Sequence, residues 1–392
     1  MSRPAAFPGG PGLFRLAPGV AHLNHGSFGA VPLPVARVHQ DLAAEAAADP
    51  DAFFLAVPDR VAEARRRVAA HLGADPEGIA FVTNATEAAG LALDALRLDA
   101  DDEILVTDHG YGTVVAAAAR RARTVTVALD PALPDEDAVC EAVLAGLTPR
   151  TRVALLDHIS SPTARTLAGP RLLAALRERG VTTVVDGAHA PGMLAAPLAG
   201  RPDFWFGNLH KWAYAPPGSA VLAVAPGHRD RVPAPVPSWE DDRGFPRSVE
   251  YRATADYTGW LAAPEGLDLI AGLGGARVRA HNGELVRHGA ESLAGVPGLT
   301  PLPHTEPGHA RAAPAPGSRP HPAGGRRAAG GDRGPARLPG PDLALARRRR
   351  DPDLGADLQP RRGVRAPRRR PARPARGRLT RRGRGGARGQ AR

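Results

Sequence analysis

The sequence predicts an α/β fold in which a mainly parallel sheet is covered by helices on both faces. Between residues 72 and 225, short runs typical of β-strands alternate with helical stretches. Such alternation is typical of parallel sheets with helical crossovers. Polar residues follow several of the strand-like runs, at the edge where open α/β sheets bind ligands. We therefore expect a functional site at the carboxyl ends of the strands.

The elements follow from β-branched runs and from the spacing of apolar residues. A polar loop at Leu23–Gly29 and helices at Pro34–Ala48 and Asp59–Leu72 precede the sheet. The predicted strands are Ile79–Thr83, Glu103–Thr107, Thr124–Leu129, Arg152–Ile159, Thr182–Val185, Asp203–Phe206 and Ser219–Val224. The predicted helices between them are Thr86–Leu96, Thr113–Arg121, Asp135–Leu147 and Arg171–Arg179, the last ending before the capping residue Gly180.

Beyond the sheet the chain first loses its strand–helix alternation. Pro226–Pro246 is a connecting loop, and Glu250–Pro303 begins strand-like and continues as helices around Pro264–Leu273 and Ala276–Leu293. We divide the chain into an N-terminal extension (1–22), an N-terminal segment with the large domain (23–246), the start of a smaller C-terminal α+β domain (247–303) and a tail (304–392).

The tail is rich in Arg, Pro, Gly and Ala. It carries a net charge of +18 against −7 for residues 1–303, which together give the +11 of the chain, and no aromatic residue follows Trp260. Such a segment buries too little apolar surface to offset its ordering entropy. Either it is a disordered, RNA-binding tail, or the reading frame slips near His304. We favour the slip, which truncates the small domain near Pro303 and predicts an impaired or inactive polypeptide.

The remaining composition favours a soluble protein of a reducing compartment. The single cysteine, Cys140, excludes an internal disulfide. Residues 1–12 lack the apolar run of a signal peptide, and no stretch approaches the roughly 18 uninterrupted apolar residues of a membrane span. We therefore expect a cytoplasmic protein without a membrane partner.

Lys211 is the only lysine in the sequence. Where arginine has replaced lysine everywhere else, a retained lysine indicates a need for an amine. Arginine cannot supply one, because its guanidinium stays protonated and forms no imine. The alternative is that Lys211 is a leftover surface residue.

The surroundings of Lys211 favour chemistry with pyridoxal 5′-phosphate (PLP). Asp186 ends one strand-like run, and Lys211 follows the end of the next one. A lysine amine can form a Schiff base with the PLP aldehyde, and a carboxylate beside the pyridine nitrogen keeps that nitrogen protonated, so that the ring accepts electrons. We therefore predict that these two residues hold PLP.

A phosphate site is predicted where the first strand turns into a helix of small residues. The segment Asn84-Ala85-Thr86 presents backbone N–H groups and a helix N-terminus, which together favour an anion. Thr86 adds a hydroxyl. The alternative is an ordinary helix cap.

These motifs resemble the class V aminotransferase family of fold-type I PLP-dependent enzymes. The resemblance lies in DGAH at 186–189, HK at 210–211 and NAT at 84–86, while LNHGSFG at 23–29 and NLHKW at 208–212 are similar to the isopenicillin N epimerase-like branch. It spans roughly residues 23–303. It implies that Lys211 is the Schiff-base lysine, that Asp186 pairs with the pyridinium nitrogen, and that His189 lies near the phenolic oxygen.

The same resemblance implies the remaining site residues. Tyr111 would stack on the pyridine, and Ser161 would approach a cofactor oxygen where relatives often have asparagine. Thr254 would reach the phosphate of a neighbouring subunit in a homodimer, and the family usually has glycine where Ala253 stands. The phosphate would be held by Asn84, Ala85, Thr86, Asn208 and His210, and the substrate would lie near Asn24, His25 and Ser27.

Structural roles are the alternatives for three of these residues. His189 would then be a helix-start histidine, Tyr111 a core residue and His25 a loop residue without a chemical role.

The expected substrate is an amino acid or an amino-acid-containing peptide, but the reaction outcome stays open. After Lys211 removes the α-proton, its return to the opposite face gives epimerisation, transfer to the cofactor gives transamination, and loss of a side-chain substituent gives a lyase. Cysteine desulfurase chemistry is not expected, because Cys140 falls in a predicted helix of the large domain. We place no metal in the site.

A non-enzymatic alternative is a basic-tailed nucleic-acid binder. Arginine contacts with phosphate would make its binding salt-dependent. The tail has no aromatic residues for base stacking, so we do not expect nucleic acid as the partner. Such binding would survive Lys211→Ala, whereas a PLP enzyme would lose its cofactor attachment.

Overall fold

A computed structural model describes residues 4–133, 135–294 and 296–297 of the chain. The tail at 304–392 lies outside the described residues, and so does the end of the predicted small domain. Helices α1 (Leu33–Ala48) and α2 (Pro50–Leu72) lead into the sheet. Helix α2 begins earlier than the predicted Asp59, because Asp49 caps it by accepting from the Ala52 N–H, and Pro50 takes a first-turn position that tolerates proline.

Seven strands form one sheet in the described part of the chain. They are β1 (Ile79–Val82), β2 (Glu103–Thr107), β3 (Arg123–Val127), β4 (Thr151–Asp157), β5 (Thr182–Asp186), β6 (Phe204–Asn208) and β7 (Ala220–Val224), in the spatial order β1-β7-β6-β5-β4-β2-β3. Strand β7 is antiparallel to both of its neighbours, and the other pairings are parallel. The predicted mainly parallel sheet is therefore confirmed.

Helices cover both faces of this sheet. Those between the strands are α3 (Ala85–Ala95), α4 (Gly112–Ala119), α5 (Glu136–Ala145) and α6 (Pro170–Glu178). Alternate residues of the strands other than β3 enter two separate apolar clusters: Leu155 packs with α3 and α4, whereas Leu156 packs with α2, α5 and α6. Both faces are thus buried, which explains why the central strands are apolar throughout.

The segment after β7 differs from its prediction at one point. The strand-like start at Glu250 is wrong, because Glu250 ends the short helix α7 (Arg247–Glu250) and residues 251–257 form a loop. The buried Glu250 carboxylate accepts from the Phe81 N–H at 2.9 Å and pairs with the buried guanidinium of Arg65. These contacts anchor α7 on β1 and α2. Helices α8 (Thr258–Gly272) and α9 (Gly275–Leu293) follow, near the predicted positions.

No helix among the described residues is long and apolar enough to cross a membrane.

Candidate active site

Three polar residues end three neighbouring strands of the sheet. Asp157, Asp186 and Asn208 are the last residues of β4, β5 and β6. Asp157 and Asp186 are direct register partners. Because side chains alternate along a strand, all three continue the rows that pack below against α3 and α4. They therefore meet at the carboxyl edge of the sheet, where the sequence predicted the site.

The Asp186 carboxylate is almost completely buried, with 4% of the residue exposed. One carboxylate oxygen accepts from the Ala188 N–H at 2.9 Å. Burial raises the pKa of Asp186 to about 6, against the opposing effects of that hydrogen bond and of the Lys211 charge. At neutral pH, Asp186 is thus a buried anion that a positive group beside it would stabilise.

Lys211 lies in the loop between β6 and β7, and its side chain is partly buried. Its Nζ lies 3.1 Å from Nε2 of His189. Burial lowers the pKa of Lys211, and Asp186 opposes this effect. A lowered pKa increases the neutral amine fraction, and only the neutral amine is a nucleophile.

His189 is held between Lys211 and Trp212. The indole N–H of Trp212 donates to Nδ1 of His189 at 3.2 Å. Burial, with the Lys211 charge, lowers the pKa of His189 to about 3, so the ring is neutral at physiological pH. Since Nδ1 accepts, Nε2 carries the ring proton and faces Nζ of Lys211. Trp212, which the sequence did not single out, therefore sets the tautomer of His189.

The predicted phosphate end is built on the N-terminus of α3. The Asn84 side chain caps this helix by accepting from the Glu87 N–H at 2.9 Å. Oδ1 of Asn208 accepts from the Ala85 N–H at 2.9 Å, so these two residues bind each other. Thr86 is exposed, and its hydroxyl lies 3.5 Å from that of Thr113 on α4.

His210 is fixed by a backbone carbonyl just before β7. Its Nδ1 lies 2.8 Å from the backbone carbonyl of Ser219, which fixes the ring and leaves Nε2 as the other polar atom. Burial and the Lys211 charge lower the pKa of His210, against the hydrogen bond to Ser219.

The two residues expected near the ring of the cofactor lie in loops that follow β2 and β4. Tyr111 precedes α4 and is 47% exposed, so it is not a core residue. Ser161 is exposed in the loop after β4. A hydrogen bond connects these two loops, because Nδ1 of the buried His109 lies 2.9 Å from the hydroxyl of Thr163.

The N-terminal loop that carries the predicted substrate residues packs onto the Lys211 loop. A Cβ at Gly29 would overlap the backbone carbonyl oxygens of His210 and Lys211, so this position requires glycine. His25 is half-buried, with its ring 6.4 Å from that of Trp212. Asn24 and Ser27 expose their side chains, and the Asn24 carbonyl accepts from the Ser27 N–H.

Thr254 is exposed in the loop between α7 and α8. The preceding Ala253 has φ +53°, in the left-handed region. Glycine adopts this backbone conformation at lower cost than alanine does.

These groups fit PLP. Asp186 offers a buried carboxylate for a protonated pyridine nitrogen, Lys211 offers an amine of lowered pKa, and the positive end of α3 offers the exposed Thr86 hydroxyl. The fold and the site together define a fold-type I PLP-dependent enzyme.

The comparisons with known proteins identify the family. The Aminotransferase class-V family model matches residues 44–313. Isopenicillin N epimerase from Streptomyces clavuligerus is 37% identical over 319 residues, which cover 76% of this chain and 80% of that protein. A putative L-cysteine desulfhydrase from Oryza sativa subsp. japonica is 28% identical and covers 67% of this chain and 60% of its own length. The chain belongs to the class V aminotransferase family.

Solved structures support the same fold. A cysteine desulfurase from Escherichia coli superposes with a TM-score of 0.61 at 20% identity, covering 72% of this chain and 75% of that one. A cystine C–S lyase gives a TM-score of 0.64 at 23% identity, covering 76% and 84%. A lysine-to-alanine variant of that lyase carries glycine covalently linked to PLP. The family match and the 37% identical relatives show that this chain is a PLP-dependent enzyme that acts at the α-carbon of amino acids.

Proposed function

We propose that this chain epimerises the α-carbon of an amino acid or of an amino-acid-containing peptide, with Lys211 as the residue that attaches the cofactor and moves the α-proton. The observation that carries the proposal is the position of the only lysine, with its Nζ 3.1 Å from His189 and its charge acting on Asp186. The 37% identity to isopenicillin N epimerases supports the reaction.

Each residue of the site has a separate task in this proposal. When bound, PLP supplies an electron sink that makes the α-proton of an amino acid acidic. Asp186 would place its negative charge beside the pyridine nitrogen, and His189 orients the Lys211 amine through Nε2. Nζ of Lys211 accepts the α-proton. Epimerisation then requires that the α-carbon is reprotonated on its opposite face.

The residues around these groups hold the cofactor in place. Tyr111 would cover one side of the ring, and Ser161 would approach its phenolic oxygen from the loop after β4. Asn84, Ala85, Thr86, Asn208 and His210 would surround the phosphate. The Ala85–Asn208 hydrogen bond and the Asn84 cap support this arrangement, because they fix the N-terminus of α3 beside the end of β6.

The N-terminal loop supports the placement of the substrate. Gly29 lies against the backbone of Lys211, and His25 lies beside Trp212. Asn24, His25 and Ser27 would therefore contact substrate groups above the lysine.

A C–S lyase is the second candidate function. It is favoured by the L-cysteine desulfhydrases among the relatives and by the structural likeness to a cystine C–S lyase. Persulfide chemistry on the chain itself is disfavoured, because the only cysteine, Cys140, is buried within α5. A transaminase on the same scaffold would form a keto acid from the amino acid.

Attachment to Lys211 is tested by adding PLP, reducing with borohydride and mapping the peptides. We expect the pyridoxyl mass on the peptide that contains Lys211, and none after Lys211→Ala. The double variant Lys211→Ala, Arg231→Lys is the control, since it returns a lysine at an exposed position. Modification of that surface lysine to the level of wild type would contradict a selective site.

The reaction is tested in D₂O with candidate amino acids and dipeptides. Epimerisation predicts loss of the α-proton signal together with formation of the second epimer. A lyase predicts pyruvate and sulfide from cysteine instead, and a transaminase predicts a keto acid without the second epimer. Exchange of the α-proton in Lys211→Ala would contradict the proposed role of the amine.

We also infer a cytoplasmic homodimer. The exposed position of Thr254 supports the dimer, since that residue would reach the phosphate bound by the other subunit. Mixing Lys211→Ala with Thr254→Ala should then give heterodimers with one intact site, detectable as regained PLP binding. A monomeric mass by light scattering with PLP bound would contradict the dimer, and cell fractionation tests the location.

A further inference from the structure

Asp157 is a second buried carboxyl group at the carboxyl edge of the sheet. It ends β4, as Asp186 ends β5, and the two residues are direct register partners in parallel strands. Neighbouring strands lie about 4.8 Å apart, and paired side chains project to the same face. Only 5% of Asp157 and 4% of Asp186 are exposed.

Two buried carboxylates this close cannot both be ionised without a large electrostatic cost. Burial raises the pKa of Asp157 well above its ordinary value, and the Asp186 charge raises it further. The Lys211 charge acts on Asp186 in the opposite sense. Since Asp186 is the carboxyl beside the cation, Asp157 is the one that retains a proton.

The environment of Asp157 suits a neutral acid. The backbone N–H groups of Tyr111 and of Asp157 itself donate to its carboxyl group and lower its pKa, but burial and the Asp186 charge raise that pKa by more. Asp186 is the charged group that acts on the Asp157 carboxyl. The ring of the adjacent His158 accepts at Nδ1 from the indole N–H of Trp205 at 3.4 Å. A protonated carboxyl has one donor and retains acceptor capacity. It can therefore donate towards the Asp186 carboxylate and accept from the Tyr111 N–H.

We propose that Asp157 is a positioning residue for the cofactor: its carboxyl stays protonated, leaves Asp186 as the single buried anion, and connects that anion to the Tyr111 loop. The proposal rests on the proposed function insofar as Asp186 faces the pyridine nitrogen. The protonation state itself concerns the chain alone.

The protonation state is measured on the protein without PLP, by infrared difference spectroscopy at pH 7. Wild type minus Asp157→Asn should contain the C=O band of a protonated carboxylic acid, and wild type minus Asp186→Asn should contain carboxylate bands. The band of Glu250, whose pKa burial raises to about 7, cancels in these differences. Carboxylate bands in the Asp157→Asn difference would overturn the proposal.

A measurement on wild type keeps the test valid if a variant fails to fold. Aspartate labelled with ¹³C at the side-chain carboxyl shifts only aspartate bands, so a shifted C=O band at pH 7 reports a protonated aspartate without any substitution. Absence of such a band would overturn the proposal whether or not PLP binds.

The positioning role is measured by PLP affinity. Asp157→Asn mimics the neutral acid, so its Kd for PLP should stay within about threefold of wild type, whereas Asp157→Glu and Asp186→Asn should weaken binding about tenfold or more. A tenfold loss in Asp157→Asn would show that the charge of Asp157 is needed and would overturn the proposal. If neither aspartate affects PLP binding while the infrared result holds, the proposed function and the positioning role fail, and only the protonated state of Asp157 stands.

Discussion

Nζ of Lys211 lies 3.1 Å from Nε2 of His189, whose other nitrogen accepts from the indole N–H of Trp212. The three side chains form one hydrogen-bonded line from the sheet edge to the N-terminal loop. Because the imidazole is neutral, it donates from Nε2 to the lone pair of a neutral amine. This donation favours the uncharged form of Lys211.

Trp212→Phe should therefore raise the pKa of Lys211. A neutral hydrogen bond contributes about 1 kcal/mol, which corresponds to roughly 0.7 pKa units. The midpoint of the pH dependence of PLP attachment should move to higher pH by about that amount. Stopped-flow absorbance with apo-protein measures it, and Trp239→Phe, at an exposed tryptophan, is the control. An unchanged midpoint in Trp212→Phe would show that the indole does not act on the amine.

Asp186→Asn should stabilise the apo-protein at alkaline pH. The folded-state pKa of about 6 lies above the ordinary 3.8, so the folded state favours the protonated acid. Ionisation of Asp186 therefore lowers the stability of the folded protein as pH rises from 3.8 through 6. Below pH 3.8 the carboxyl is protonated in both the folded and the unfolded state, so it does not change stability. At pH 8 the variant should gain roughly 2–3 kcal/mol, and the gain should vanish towards pH 4. Urea unfolding at both pH values measures this difference, with the exposed Asp101→Asn as the control.

Asn208 should matter through its acceptor oxygen. Asn208→Ala leaves the buried Ala85 N–H without its partner, at a cost of about 1–3 kcal/mol in stability. Asn208→Asp retains an acceptor but adds a negative charge beside the predicted phosphate. Asn208→Asp should be more stable than Asn208→Ala, and it should bind PLP less tightly than Asn208→Ala does. Thermal unfolding and PLP titration separate the two effects, and equal PLP affinity in both variants would argue against a phosphate at this end.

Ala253→Gly should stabilise the chain. Alanine at φ +53° is strained by about 1–2 kcal/mol, and the added chain entropy of glycine offsets part of that relief. We expect a net gain of about 0.5–1 kcal/mol in urea unfolding. Ala255→Gly, in the same loop but without positive φ, should give no gain. A loss of stability in Ala253→Gly would show that other contacts hold this backbone.

Much of the sheet could be predicted from the sequence. Strand β2 occupies Glu103–Thr107, as predicted, because its apolar run is bounded by polar residues on both sides. The antiparallel direction of β7 could not be predicted, since a buried strand is apolar in either direction. The segment from Glu250 was predicted to begin strand-like, whereas the pairing of Glu250 with Arg65 on α2 is a long-range contact that the local sequence does not reveal.

The candidate site was predictable where rare residue types mark it. A single lysine and a strand-terminal aspartate indicated Lys211 and Asp186. Asp157 was missed because the predicted strand extended to Ile159 and enclosed it, whereas β4 ends at Asp157. Trp212 was missed as a separate contributor because a tryptophan beside a site is usually a packing residue, and only the geometry shows its N–H on His189.

The partly buried position of the only lysine also determines how the proposed homodimer can be tested by cross-linking. Amine-reactive cross-linkers have one side chain in the chain to modify, and it lies within the site, so they cannot join the surfaces of two subunits through lysine. Carboxyl- or arginine-directed reagents are needed for that purpose. Because no other lysine is present, labelling of side-chain amines would report on Lys211 alone and would measure how accessible the site is.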